Sequence, residues 1–319
     1  MTLGTRAGLE MGAATRDAFG RALQEIGSSN KDVVVVDGDV ANSTRAEWFG
    51  KDNPDRFFNV GIAESNLIGV AAGLAACGKV PVAASFAAFL LCNAYDQIRM
   101  SIAFPKMNVK LVGSHAGISI GEDGPSQMGI EDVALACALP GTVVMVPADE
   151  HSARKATQQM VEHVGPTYLR VGRSGVPVIY DENVDFKIGK ANTLRDGSDV
   201  TLVANGLMVS AALDAAEILA GEGITARVLD MHTVKPVDEA ALRAAAVDTK
   251  GIVVAEEHLH HGGLGSVVAM TVARTNPCRM DFVDLGDQFA KSGDGDALLE
   301  EFGLTGEKIA EKARAIAKG

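Results

Sequence analysis

The sequence predicts two consecutive three-layer α/β domains, the first on a doubly wound, mainly parallel sheet and the second on a smaller mixed sheet. Three observations lead there. Short β-branched runs alternate with helical stretches along the chain, the rhythm of strand–helix–strand units. Those runs are apolar throughout, as expected of strands covered by helices on both faces. A chain of 319 residues is also long for one core, which makes two domains the default.

Taken in order, "DVVVVDGD" (32–39), "RFFNVG" (56–61), "VPVAAS" (80–85), "NVKLVGS" (108–114), "TVVMVPA" (142–148) and "PTYLRVG" (166–172) read as strands of the first sheet. Helices are expected near 15–26, 64–77, 88–104, 130–138 and 150–163. The stretch 174–199, with its Pro, Gly and acidic residues, interrupts the rhythm and reads as a linker, which places the domains at 1–184 and 185–319. Alternation then resumes, with strands at 200–206, 226–231, 251–257 and 280–286 and helices at 209–220, 238–247, 264–274 and 306–318.

Composition narrows the function. A net charge of −12 argues against a nucleic-acid binder, whose footprint would be basic. Any anionic substrate must then be held by a local cluster of Arg or His. The four cysteines, Cys77, Cys92, Cys137 and Cys278, are scattered without a C-x-x-C pair and read as reduced thiols of a cytoplasmic protein. No apolar run reaches the ~18 residues of a membrane span, and the N-terminus shows no signal-peptide core.

The chemistry-bearing residues follow the predicted strands. "DGDVANS" (37–43), "GIAES" (61–65), "ASFAAF" (84–89), "GSHAGISIGEDGPSQ" (113–127) and "VGRSG" (171–175) would all gather at the carboxyl ends of one sheet, where open α/β folds place their ligands. Each has a plainer explanation taken alone. Glu64 in a first helical turn complements exposed N–H groups, Asp and Asn after strands form turns, and Phe86 and Phe89 at i, i+3 suit a core. The long stretch from 113 is harder to dismiss, because a glycine-rich loop with a His, two acids and a Gln inside a compact domain is usually functional.

The series "DGDVANS", "VGIAESN", "SFAAF…YDQIR" and "SHAGISIGEDGPSQMGIEDVA" resembles the pyrimidine-binding domain of transketolases. "HTVKPVD" and "EEHLHHGGLGSVVA" resemble the transketolase C-terminal domain. The resemblance spans essentially the whole chain, and H-x-G-x-S-x-G-E-D-G-P-S-Q at 115–127 is its most specific part. The family's diphosphate-binding domain, with its G-D-G…N-N motif, has no counterpart here; "DGDVANS" and "SGDGDA" near 292 lack its spacing and position. The expectation is therefore the C-terminal subunit of a split, two-gene transketolase.

What the resemblance implies is specific. The cofactor is thiamine diphosphate, its pyrimidine on this chain and its diphosphate and divalent metal (Mg or Ca) on an N-terminal partner subunit, in a heterotetramer of two chains of each kind. Glu64 hydrogen-bonds the aminopyrimidine ring nitrogen, a role that suits a buried carboxyl holding a proton. Its neighbours Ile62 and Ala63, and the small-residue helix behind it, are compatible with such burial. Phe86 and Phe89 wall the pyrimidine, and Asp39 lies beside it; a third aromatic found in some relatives is replaced by Cys92.

The implied substrates are sugar phosphates. Arg16, Ser43, His115 and Arg173 form the phosphate clamp, with Arg170 as the competing choice for Arg173; Asp123 reads the acceptor's C2 hydroxyl, and Gln127 contacts the upper hydroxyls. His258, His260 and His261 invite a metal reading, but a turn before a helix is the expectation. Two alternatives stay open: the β subunit of a 2-oxoacid dehydrogenase E1 or a 1-deoxyxylulose-phosphate synthase-like enzyme, and a non-catalytic sugar-phosphate-binding or complex-stabilising partner. The resemblance admits the pentose phosphate pathway and a more specialised sugar route alike.

Overall fold

The computed structural model describes residues 3–319. Fourteen strands are assigned among them: β1 (Met11–Ala14), β2 (Val33–Asp37), β3 (Phe57–Asn59), β4 (Val80–Phe86), β5 (Lys110–Ser114), β6 (Val143–Met145), β7 (Thr167–Arg170), β8 (Gly175–Pro177), β9 (Asn192–Arg195), β10 (Val200–Ala204), β11 (Ala226–Asp230), β12 (Thr233–Lys235), β13 (Gly251–Ala255) and β14 (Arg279–Val283). Seven form one sheet in the order β12-β6-β7-β5-β4-β2-β3, parallel except for β12. Five form a mixed sheet, β14-β13-β10-β11-β9, in which only β9 runs antiparallel.

The period of two in each strand builds the layers. In β2, Val33 and Val35 join Phe19, Leu23 and Met160 on one face, while Val36 joins Leu67, Ile68 and Leu90 on the other. Helices Thr15–Ser29 and Glu150–Glu162 cover the first face, and helix Glu64–Ala76 with the segment 89–103 covers the second. In the mixed sheet, Leu202 and Val253 pack under helices Met208–Ala220 and Gly306–Ala317. Val203, Ile252 and Val254 face the layer that also contains Leu111 and Tyr168, so the two halves share one apolar layer.

Three features depart from the sequence-based picture. The expected linker 174–199 carries two strands, β8 paired with β1 and β9 on the mixed sheet. The expected helix 88–104 is broken into π-helical turns at Phe89–Asn93 and Ile98–Ala103 around a short α turn at Tyr95–Gln97. And β12, beyond residue 184, sits at the edge of the first sheet against β6. Each is a short edge element or a local unwinding whose form depends on tertiary partners and not on periodicity.

Candidate functional site

The carboxyl ends of β2, β3, β4, β5 and β7 converge, β2 lying between β3 and β4 where the winding direction reverses. After β2, buried Asp37 folds the turn: its Oδ1 accepts the Val40 N–H at 2.8 Å and its Oδ2 the Thr44 hydroxyl at 3.1 Å. Asp39 is exposed in the left-handed region (φ +67°) and accepts from Asn59 Nδ2 at 2.7 Å, joining the β2 and β3 turns.

Glu64 opens helix Glu64–Ala76, is only 6 % exposed, and takes one side-chain hydrogen bond, from Ser85 Oγ on β4 at 3.3 Å. The burial does not come from Ile62, which is 81 % exposed, nor from the half-buried Ala63; the reading of these two neighbours as part of a burying setting is corrected. A preceding residue on the outer side of a turn cannot cover the side chain that turns inward.

Phe86, at the end of β4, lies parallel to Phe89, with ring centroids 5.5 Å apart and 7° between planes. Phe89 begins the π-helical turn, a form frequent at functional sites. Cys92 is exposed, its Sγ 3.5 Å from Glu131 Oε1, and burial of the sulfur together with that carboxylate pushes the thiol up to about 12.

A cavity of about 280 Å³ gathers Arg16, Ser43, Phe86, His115, Asp123 and Arg173, together with Asn42 and Arg45. Arg16 Nη1 donates to the Ser43 carbonyl at 2.9 Å and meets His115 Nε2 at 3.1 Å. Because a guanidinium only donates, His115 Nε2 is the acceptor, which leaves the ring proton on Nδ1, donated to Ser114 Oγ at 2.9 Å. Ser114 Oγ in turn reaches the Ser85 carbonyl at 3.5 Å, and Ser85 Oγ reaches Glu64. A polar run thus connects the arginine cavity to the buried carboxyl.

The electrostatics favour an anion. Burial, then Arg16, Arg173 and Arg45, hold the His115 imidazole down to about 3, so it is neutral near pH 7. Burial and neighbouring Arg45 hold Arg16 below its ordinary value, and its Nε is buried without a hydrogen-bond partner. Arg45 pairs with Asp17 at 2.5 Å, and Arg173 with Asp123 at 3.3 Å. Three guanidiniums in one small cavity are a forked receptor for a phosphate-like group. His115 and Arg45, like Asp39, are non-glycine residues at positive φ (+58° and +69°), backbone strain concentrated at this edge.

Of the residues expected from sequence, Glu64, Asp39 and Phe89 lie on the adjoining turns. Gln127 does not line the arginine cavity; its Oε1 accepts from Ser126 Oγ at 2.7 Å. Ser43 contributes its carbonyl to Arg16. Arg170 does not line the arginine cavity: it is 7 % exposed and committed to Asp132 at 2.9 Å and to the carbonyls of Gly129 and Glu257. Sequence reasoning missed Arg45, which stands two residues beyond the flagged "DGDVANS" loop; Asn42, Ser85 and Ser114 lie inside flagged stretches without being assigned a role.

In the C-terminal half, Glu256 caps helix Leu264–Thr275 by accepting two backbone N–H groups at 2.7 Å. His258 bonds the Leu259 carbonyl and the Ala134 N–H, and His260 bonds Asp284, so these imidazoles are spent on the turn. A second cavity of about 470 Å³ at the junction of the halves shares Arg16 and Arg173 with the first and is closed from the C-terminal side by Asp294 and Leu299.

Comparison with known proteins finds matches to both halves of the chain. Residues 11–178 match the family model "Transketolase, pyrimidine binding domain", and residues 189–309 match "Transketolase, C-terminal domain". The 6-deoxy-6-sulfo-D-fructose transketolase subunit SqwH of a Clostridium species is 42% identical over 94% of this chain and 94% of its own length. An apulose-4-phosphate transketolase subunit of Phocaeicola vulgatus is 36% identical over 96% and 98%. A solved split-gene transketolase, described as an inactive beta4 tetramer, superposes with a TM-score of 0.88 at 43% identity, covering 96% of this chain and 99% of that one.

Proposed function

This chain belongs to the transketolase family, as the C-terminal subunit of a split enzyme, and from that premise we propose how its residues share in moving a two-carbon ketol unit from a ketose phosphate to an aldose phosphate. One observation carries the reading: a buried carboxyl at a strand-to-helix turn, an aromatic pair and a three-arginine cavity meet at one sheet end.

The residues fit the aminopyrimidine end of thiamine diphosphate. Phe89 offers an aromatic face, worth about 0.5–1.5 kcal/mol in stacking beyond area burial, and Phe86, stacked on His115, backs it. Glu64 has only a neutral hydroxyl for company and keeps carboxyl capacity for a ring nitrogen. When bound, the cofactor supplies the carbon nucleophile that carries the ketol unit. Glu64 offers its carboxyl to a nitrogen of that ring, Asp39 flanks it, and Ser85 fixes the carboxyl's orientation. Arg16, Arg173 and Arg45 grip the sugar's terminal phosphate, with neutral His115 and the Ser43 carbonyl setting Arg16. Asp123 takes the acceptor's C2 hydroxyl, and Gln127 reaches the upper hydroxyls.

The N-terminal partner subunit holds the diphosphate and its divalent metal, Mg or Ca. Exposed Phe58 and Ile62 beside the Glu64 turn, and Met100 and Phe104 on the segment packed against its helix, are apolar surface for that partner to cover. Two copies of each chain make the assembly.

Co-expression with the partner tests the reading. Ketol transfer between sugar phosphates is expected to need both chains, thiamine diphosphate and a divalent metal, with a heterotetramer by mass photometry. Robust transfer by this chain alone, or turnover of pyruvate with lipoamide in its place, would overturn it.

A further inference from the structure

The loop that carries His115 and Asp123 is held from the other half of the chain. Glu257, just beyond β13, is 5 % exposed, and its Oε1 accepts the Ser119 N–H at 2.6 Å. Gly117 (φ +84°) presses on the same carboxylate: a Cβ there would lie 2.1 Å from Glu257 Cδ. The loop's other glycines repeat the pattern. A Cβ at Gly121 would come within 2.9 Å of the Gly293 carbonyl, and one at Gly124 within 2.3 Å of Ser292 Oγ.

The far end of this contact is the clamp. One residue past Ser119, the Ile120 carbonyl accepts from Arg173 Nη1 at 3.3 Å, and Asp123 pairs with the same nitrogen at 3.3 Å. Both acceptors that orient Arg173 therefore stand on a segment registered by Glu257. The Glu257 backbone is itself held, since its carbonyl accepts from Arg170 Nη2 at 2.9 Å. A buried acid committed to a bond as short as that to Ser119 is a costly choice unless position matters.

We propose that Glu257 is a positioning residue for the sugar-phosphate clamp, setting the place of Arg173 through Ser119, Ile120 and Asp123. This rests on the reading of that cavity as the phosphate site.

The test uses the complex with the N-terminal subunit and two substrate pairs: sugar phosphates, and hydroxypyruvate with formaldehyde, which offer neither a phosphate nor an acceptor C2 hydroxyl. Glu257→Ala is expected to raise KM for the aldose phosphate at least tenfold while leaving the phosphate-free pair within about twofold. Glu257→Gln, which keeps an acceptor for the Ser119 N–H, should recover most of the loss. In the full chain, hydrogen exchange of residues 117–124 should quicken at least tenfold in Glu257→Ala, with β5 and β13 unchanged. Equal losses on both pairs, or unaltered exchange, overturn the proposal. If the wild-type complex transfers no ketol unit, the functional reading fails and exchange alone decides the positioning. Should Glu257→Ala not fold, Gly117→Ala drives a methyl into the same carboxylate and must give the same split and the same exchange.

Discussion

His115 stacks on Phe86, with ring centroids 3.8 Å apart and 11° between planes, while its Nε2 accepts from Arg16 at 3.1 Å. One imidazole thereby ties the aromatic wall to the arginine cavity. It can do both only as a neutral ring, because a protonated Nε2 could not accept from a guanidinium.

The first prediction concerns that neutrality. The folded imidazole titrates at about 3, below its ordinary 6.5, so the folded state binds fewer protons than the unfolded chain in that window. The stability it contributes is present above about pH 6.5 and is lost as pH falls toward 3. His115→Asn tolerates the left-handed backbone but removes the titrating ring. Its thermal midpoint should approach the wild type's as pH drops from 6.5 to 4. At pH 7 its KM for sugar phosphates should rise about 10–100-fold, the worth of one hydrogen bond to a charged group. A pH-independent midpoint difference would count against this account.

Glu64 gives the second prediction. Glu64→Gln keeps an acceptor for the Ser85 hydroxyl, so the fold should be retained, with a midpoint change of only a few degrees. Loss of a positioned acid–base group costs about 10²–10⁴ in rate. Steady-state kcat of the complex, read beside its melting curve, checks this; activity within tenfold of wild type would remove Glu64 from the mechanism.

Arg170 and Arg173, three residues apart, should part company. Arg170→Ala takes the guanidinium from buried Asp132, which keeps the Tyr168 hydroxyl, and from the Gly129 and Glu257 carbonyls; breaking a buried pair costs about 3–5 kcal/mol. Arg173 is about one-third exposed, and an exposed pair is worth about 0–1 kcal/mol. Denaturant midpoints should fall sharply for Arg170→Ala and barely for Arg173→Ala, whereas KM for sugar phosphates should rise at least tenfold in the latter.

The contrast shows where sequence is informative. Apolar runs such as "VVVV" in β2 and the amphipathic stretch at 150–163 predict the sheet and its covering helices, because burial on a fixed period dictates those elements. Edge strands of three or four residues, β8, β9 and β12, carry no such period and exist through their partners. Post-strand loops mark the site, yet not the left-handed backbone of Asp39, Arg45 and His115, which glycine alone would have announced. Ser85 and Ser114 lie inside the flagged stretches, but nothing in the sequence says that the first meets Glu64 or that the second turns to the ring of His115.

The last prediction concerns the join between the halves. Asp149, from the first, accepts the backbone N–H groups of Ile179 and Tyr180 at 2.8 Å each, and Asp230, ending β11, accepts the Tyr180 hydroxyl at 2.7 Å. Two buried carboxyls therefore grip the connecting segment from opposite sides. Burial, offset in part by the Tyr180 hydroxyl and reinforced by the Asp149 charge, pushes Asp230 from 3.8 up to about 7. A raised folded value means the fold holds a proton that the unfolded chain releases above about pH 3.8. The stability this contributes is full below that point and is lost as pH rises through 7. Asp230→Asn keeps an acceptor for Tyr180 and cannot ionise. Its stability relative to wild type should climb between pH 4 and 7 and level off above, whatever other groups titrate in common. Denaturant melts of both proteins across that range measure the difference; a flat or falling curve would mean that Asp230 is ionised in the fold.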